Sequence, residues 1–213
     1  MAVGVMISPL PIVAVVLMLV SGNARVNALA FVVAWFLSIT AVTVIVSLAA
    51  VSASSDDGAP SSWQGWLKVL LGFGLIALAV KQWRGRPRDD AEPETPKWMA
   101  AVDTFTPVKA AGLAALLAVV NPKNLLLAVS GGAAIATAAA GSTGAAIGAS
   151  LVFAVVASAG VAAPVIVYFG AGDRAAHILG NLKQWLTQHN GPIMAVLLLV
   201  IGAKLIGDGI TIL

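Results

Sequence analysis

Two polar segments that contain proline interrupt long apolar runs, one in each half of the chain, and they hold the residues best suited to bind a substrate. The first is Ser8-Pro9-Leu10-Pro11 and the second is Asn121-Pro122-Lys123-Asn124. Proline lacks a backbone donor and breaks helices, so both segments predict helix ends with unpaired backbone groups inside apolar surroundings. We therefore predict a substrate-binding site formed by Ser8, Pro9, Pro11, Asn121, Pro122, Lys123 and Asn124.

Lys123 is the strongest of these candidates, because it lies deep inside the apolar run Ala110 to Ala140. A lysine within a membrane costs at least about 2.5 kcal/mol and usually faces a partner or a wet cavity. Proline alone kinks many transmembrane helices without any further role. The prediction of a substrate-binding site therefore rests on Lys123 and the amide side chains beside it.

Four other charged residues are additional candidates, and each has a structural explanation. Lys204 and Asp208 are four residues apart, a spacing that places them on one helical face and allows an ion pair. Arg25 lies in a polar turn, where it would set the topology. Lys109 follows Pro107 at the start of the fourth apolar run, where an interface anchor is the default interpretation.

The composition sets the class of protein, since 60% of the residues are hydrophobic and only 10% are charged. A soluble domain of 213 residues cannot bury that much apolar surface, whereas apolar runs of about 18 residues or more can cross a membrane as helices. The fourth run is too long for one straight span and predicts a broken or re-entrant helix. Six spans are predicted, near Val3 to Val20, Ala28 to Val51, Trp66 to Gln82, Ala110 to Ala140, Ala145 to Gly170 and Pro192 to Leu213.

The basic residues of the predicted connections lie in the first, third and fifth, which predicts that these face the cytoplasm and that both termini lie outside. Three spans per half then make the halves inverted. We expect an all-α polytopic protein of the cytoplasmic membrane, with six transmembrane helices in two inverted three-helix repeats and proline-broken helices. Residues 1–82 would form the first repeat, 83–106 a cytoplasmic linker loop and 107–213 the second repeat.

The sequence lacks the residues that several kinds of function require. No cysteine is present, and His177 and His189 fall in the predicted fifth loop, so we expect no metal and no cofactor. Paired acids and a serine-histidine set are not visible, so an enzyme is the least favoured class. We expect no nucleic acid partner. Gly144 and Gly148 permit helix pairing in a homodimer, but they fit packing within one chain equally well.

Three segments together resemble one family. They are Ile7 to Val13, the central Asn121 to Leu127, and the C-terminal segment from Trp185 to Gly209 with its Gly-Ala-Lys-Leu-Ile-Gly-Asp-Gly motif. The chain resembles the peptidoglycolipid-addressing, or sulfolipid-addressing, proteins of actinobacteria, a family of the lysine-exporter superfamily. The resemblance implies six helices in two inverted halves and a role in moving large amphipathic glycolipids towards the cell envelope.

The residues favour one substrate class. Lys123, Arg25 and Lys109 outnumber Asp208, the one acid within a predicted span, and basic groups in apolar walls suit an anionic lipid or glycolipid. The leading hypothesis is a flippase that moves such lipids across the cytoplasmic membrane towards the envelope. Two alternatives stay open: a gradient-driven exporter of amino acids or ions, and a non-transporting scaffold that binds proteins of glycolipid synthesis or export.

Overall fold

The computed structural model describes residues 1–52, 62–85 and 102–213, which form α-helices joined by short turns and contain no strand. Helices satisfy their own backbone groups, as a chain in lipid requires. The 3-10 turns Val102–Thr104 and Gly172–Arg174 precede two of the helices. In chain order the helices are α1 Ala2–Met6, α2 Pro9–Leu19, α3 Ala24–Ser52, α4 Ser62–Arg84, α5 Pro107–Val119, α6 Pro122–Ala138, α7 Thr143–Gly170 and α8 Ala175–Ile210.

Four apolar segments of these helices are long enough to cross a membrane: α3, Gly65–Arg84 within α4, α7, and Gly191–Ile210 within α8. Helices α5 and α6 pass the same test together and are bent by 66° at the break between them, so up to five spans are present in the described residues. The predicted all-α membrane class and the predicted break in the fourth run are therefore confirmed. Helix α2 is apolar but only 11 residues long.

The predicted fifth connection does lie outside the apolar segments, but it is helical and not an irregular loop, because α8 already begins at Ala175 and continues into the last apolar segment. Helix-favouring residues and polar contacts one turn apart explain this extension into the polar sequence. Asn181 Nδ2 lies 3.2 Å from His177 Nε2, and His189 Nδ1 lies 2.9 Å from the carbonyl oxygen of Trp185. Both histidines are therefore helical, before the apolar segment.

Small residues recur every seven positions where α4 and α8 pack against each other. Helix α4 contributes Gly65, Gly72 and Ala79, and antiparallel α8 contributes Gly209, Gly202 and Ala195 at the matching levels. A Cβ atom at Gly72 would lie 2.7 Å from the Gly202 carbonyl oxygen, and one at Gly209 would lie 2.8 Å from the Gly65 carbonyl oxygen. Glycine is required at these levels, because the two backbones touch.

Two glycine pairs have different environments. Cβ atoms at Gly131 and Gly132 would clash with Phe153 of α7 and Val46 of α3, so the helices pack closely there. Among the described residues, no atom of a neighbouring element lies within 4 Å of where a Cβ would stand at Gly144 or Gly148. Packing within one chain therefore does not explain the second pair, and homodimer pairing stays a prediction.

Two contacts bring the first, third and fifth connections of the chain to one end of the molecule. Asn27 Nδ2 at the start of α3 donates to the carbonyl oxygen of Phe105, just before α5, over 2.8 Å. The Arg25 guanidinium lies 5.9 Å from the ring centroid of Phe169 at the end of α7, a cation–π contact. The predicted cytoplasmic side of these connections stays a prediction.

Candidate functional site at the helix breaks

The second break is built by the Asn-Pro pair that precedes Lys123. Asn121 is the N-cap of α6, and its Oδ1 accepts a hydrogen bond from the backbone N–H of Lys123 over 3.2 Å. Pro122 occupies the first helical position, where its missing N–H costs nothing. The chain therefore ends α5 and starts α6 in a new direction, with Lys123 on the first turn.

Asn124 holds the two sides of this break together. The backbone N–H groups of Val120 and Asn121 both donate to Leu116, which leaves the carbonyl of Leu117 without its usual helical donor. Asn124 is fully buried, and its Nδ2 donates to that Leu117 carbonyl over 2.9 Å. The amide thus satisfies a backbone acceptor that would otherwise be buried and unpaired.

Replacing Asn124 with alanine is expected to lower the free energy of unfolding by about 1–3 kcal/mol, because the Leu117 carbonyl loses its donor inside the protein. Thermal unfolding in detergent, followed by helical circular dichroism, measures the change. Thr137→Ala is a matched control, since Thr137 Oγ1 donates to the carbonyl of Ala133 within its own helix. Equal losses in the two variants would contradict a special role for Asn124 at the break.

Lys123 is buried, with 6% of its surface exposed, and its side chain reaches parts of the chain far away in sequence. Its Nζ donates to the carbonyl oxygen of Gly4 in α1 over 3.3 Å and lies 3.0 Å from Met194 Sδ in α8. An ammonium group has three donors, and a thioether is a weak acceptor. Within the described residues no carboxylate is bonded to Lys123, so its charge has only neutral partners.

The first break contributes backbone groups to the same region. Helix α1 ends at Met6 and α2 starts at Pro9, with Ser8 as the N-cap. Ser8, Pro9 and Pro11 are all buried, and the Ser8 side chain makes no capping hydrogen bond. Helix α1 packs on α6, which places the Gly4 carbonyl next to Lys123. The structure thus joins Lys123 to the helix before the first break, while no hydrogen bond links Ser8 with Asn121 among the described residues.

The additional candidates lie away from Lys123. Lys204 and Asp208 form the predicted ion pair on α8, and both side chains are largely exposed. Arg25 is exposed and contacts Phe169, and Lys109 is exposed on the first turn of α5. Their default interpretations as an ion pair, a topology signal and an interface anchor fit these positions.

Sequence reasoning missed two residues. Lys68 of α4 is buried and interacts electrostatically with Asp208 and Lys204, so the ion pair belongs to a larger charged group at one end of the α4/α8 pair. Its signal was a lysine near the start of the third apolar run. Met194 had no comparable signal, because only folding brings its sulfur to Lys123.

One family model matches nearly the whole chain, from residue 1 to residue 211, and its description is Sap, sulfolipid-1-addressing protein. The chain belongs to this family. The resemblance predicted from the two breaks and the C-terminal segment is thereby confirmed. No curated protein and no solved structure shows significant similarity to the chain.

Membership of the Sap family and the apolar helices together identify a multi-pass membrane protein. The match includes both proline breaks as well as Lys123, Met194 and the Lys204–Asp208 pair. In this Sap family member the helix breaks therefore lie in the part that the family model covers. The wider lysine-exporter superfamily stays a prediction.

Proposed function

We propose that the chain is a lipid transporter that moves anionic lipids or glycolipids across the cytoplasmic membrane towards the cell envelope, with Lys123 binding the anionic head group. The observation that carries the proposal is the buried Lys123 Nζ, which has the Gly4 carbonyl and the Met194 thioether as its partners. A buried charge is costly unless it is paired. A sulfate, phosphate or carboxylate would supply charge-assisted hydrogen bonds that these neutral partners do not.

The family description supports the choice of a lipid, since it names a sulfolipid as what a Sap protein addresses. A sulfate or sulfonate head group carries a negative charge, which suits a single lysine in apolar surroundings. Ser8, Asn121 and Asn124 lie in the two breaks beside or near Lys123 and would offer hydroxyl and amide groups to sugar hydroxyls. Pro9, Pro11 and Pro122 would maintain the breaks that leave backbone groups open to the substrate.

The proposed transporter has six spans in two inverted repeats. In this arrangement α1 and α2 together form the first span, and the bent pair α5 and α6 forms the fourth. The order of elements supports it, because each half contains a helix broken before a proline, followed by two long helices. Such broken helices in corresponding positions of two halves are typical of transporter substrate sites. With both termini outside, Arg25, Lys109 and Arg84 would face the cytoplasm.

The test uses the purified chain in liposomes that contain fluorescent anionic phosphatidylglycerol or zwitterionic phosphatidylcholine. Loss of fluorescence on adding a membrane-impermeant quencher reports how much labelled lipid has changed leaflet. We expect faster movement of the anionic lipid than in protein-free liposomes. Movement of neither lipid above the protein-free rate would contradict the proposal and would favour solute export or a scaffold that needs partner proteins.

A further inference from the structure

A surface groove lies between α4 and α8 on the side of the Ala79 and Ala195 pair. It has a volume of about 390 Å³, within the range of small-molecule sites, and its walls are almost entirely apolar. Val196 and Leu199 are half exposed at its rim. The groove is lined at the level where alanine replaces glycine in the seven-residue series, one repeat beyond the close contact of Gly72 with Gly202.

One end of the groove is formed by Trp83 and Arg84, on the last turn of α4. Both side chains are exposed, and Lys81 is exposed one turn earlier. An apolar groove that ends at tryptophan and arginine, with a further lysine one turn away, matches the chemistry of an anionic lipid, with an acyl chain in the groove and the head group at Arg84. Charge complementarity therefore favours an anionic lipid as the molecule that binds in the groove.

On α8, a residue that lines this groove is next in sequence to a residue that contacts Lys123. Ala195 lines the groove, and its neighbour Met194 contacts Lys123 Nζ and is buried. Methionine is flexible and unbranched, so its side chain changes rotamer more readily than a branched residue does. The movable side chain that contacts the buried ammonium group therefore belongs to the same turn of α8 that lines the groove.

We infer that the α4/α8 groove is the lateral entrance through which an anionic membrane lipid reaches Lys123, with Arg84 receiving the head group and Met194 acting as the gate. The inference rests on the proposed function, since it names the path to the same site. The lipid enters from the leaflet that surrounds Arg84, and displacement of Met194 brings its head group to Lys123.

A second groove on the molecule serves as an internal comparison. It lies between α3 and α5, has a volume of about 560 Å³ and has Arg25 at one end. Arg25 already contacts the Phe169 ring, and none of the residues that line this groove is next in sequence to Gly4 or Met194, the partners of Lys123. The second groove therefore offers a similar apolar surface without a path to the buried lysine.

The test is photolabelling in liposomes with phosphatidylglycerol that carries a diazirine in one acyl chain, compared with the same phosphatidylcholine probe. Mass spectrometry then locates the labelled residues. We expect phosphatidylglycerol to label the α4/α8 groove more strongly than phosphatidylcholine does, and Arg84→Gln to reduce that labelling about fivefold. Equal labelling by the two probes in this groove, or equal labelling with and without Arg84, would overturn the inference.

Groove-filling variants test the path itself. Val196→Trp fills the groove from its exposed rim and is expected to reduce both labelling and lipid transport at least fivefold. Val200→Trp is the matched control, because Val200 is equally exposed one turn further along α8 and does not line the groove. Normal transport by the Val196→Trp protein would overturn the inference that the lipid enters through this groove.

The same measurements separate this inference from the proposed function. Lys123→Met is expected to lower anionic lipid transport at least about tenfold and to leave labelling of the groove unchanged, because Lys123 does not line the groove. Head-group-selective labelling of a wild-type protein that moves no lipid would contradict the proposed function, and the role of the groove as an entrance would fail with it. Transport of anionic lipid without head-group-selective labelling of the groove would overturn the inference about the entrance and leave the proposed function standing.

Discussion

Lys123→Met is expected to lower the rate of anionic lipid transport at least about tenfold while the protein stays folded. The substitution removes the buried ammonium group, and a hydrogen bond to a charged group contributes about 1.5–3 kcal/mol. Methionine keeps nearly the same length and would pack against Met194 and the Gly4 backbone, which Lys123 already contacts. The quenching assay with fluorescent phosphatidylglycerol measures the rate, and size-exclusion chromatography reports the fold.

The matched control is Lys204→Met, which removes a lysine from the exposed ion pair with Asp208. An exposed pair one helical turn apart contributes little, typically about 0.5 kcal/mol or less. We expect this variant to transport the lipid within about twofold of the wild-type rate. A Lys123→Met protein that elutes as wild type and transports at the wild-type rate would remove Lys123 from the mechanism.

Gly160→Ala is expected to give the largest loss of stability, about 3 kcal/mol or more. A Cβ at this position of α7 would overlap the Met6 carbonyl oxygen and would lie 2.9 Å from the Met6 carbonyl carbon. Overpacking usually costs about 1–3 kcal/mol, and backbone gives way less easily than a side chain. The first break would have to move away from α7, so we expect a lower unfolding temperature and slower lipid transport.

Gly148→Ala on the same helix is the control, since within the described residues no atom of a neighbouring element lies within 4 Å of where its Cβ would stand. Alanine favours a helix over glycine, so this protein should be at least as stable as wild type. Thermal unfolding in detergent compares the two variants. If Gly160→Ala unfolds at the same temperature as Gly148→Ala, the contact between the first break and α7 is absent.

The breaks and the buried lysine could be predicted because their causes are local. A helix cannot continue through Asn121-Pro122 without losing hydrogen bonds, and the structure ends α5 at Val119 for that reason. The long apolar runs likewise predicted the helices α3 and α7. The Lys204–Asp208 pair followed from a spacing of four residues on one helix.

The partners of Lys123 could not be predicted, because Gly4 and Met194 are separated from it by 119 and 71 residues. No local pattern distinguishes the Met194 thioether from the other apolar side chains of the last span. The helical start of α8 was missed for a different reason. Hydropathy marks only the membrane part of a helix, and the polar segment from Ala175 onwards continues the same helix outside that part.

A seven-residue repeat of small residues in the sequence also indicates how α4 and α8 pack. Gly65, Gly72 and Ala79 recur at seven-residue intervals, as do Ala195, Gly202 and Gly209. A small residue every seventh position predicts a close, gently supercoiled helix pair. The repeat favours packing of α4 against α8, and its alanine level, Ala79 and Ala195, is the level that lines the groove.

The most direct test of the account is the ratio of phosphatidylglycerol to phosphatidylcholine transport rates, measured for wild-type protein and for Lys123→Met in liposomes of the same composition. We expect the ratio of phosphatidylglycerol to phosphatidylcholine transport to be well above one for wild type and near one for the variant, because the Lys123 ammonium group is the group that distinguishes the two head groups. An unchanged ratio in the variant would contradict the claim that Lys123 binds the anionic head group.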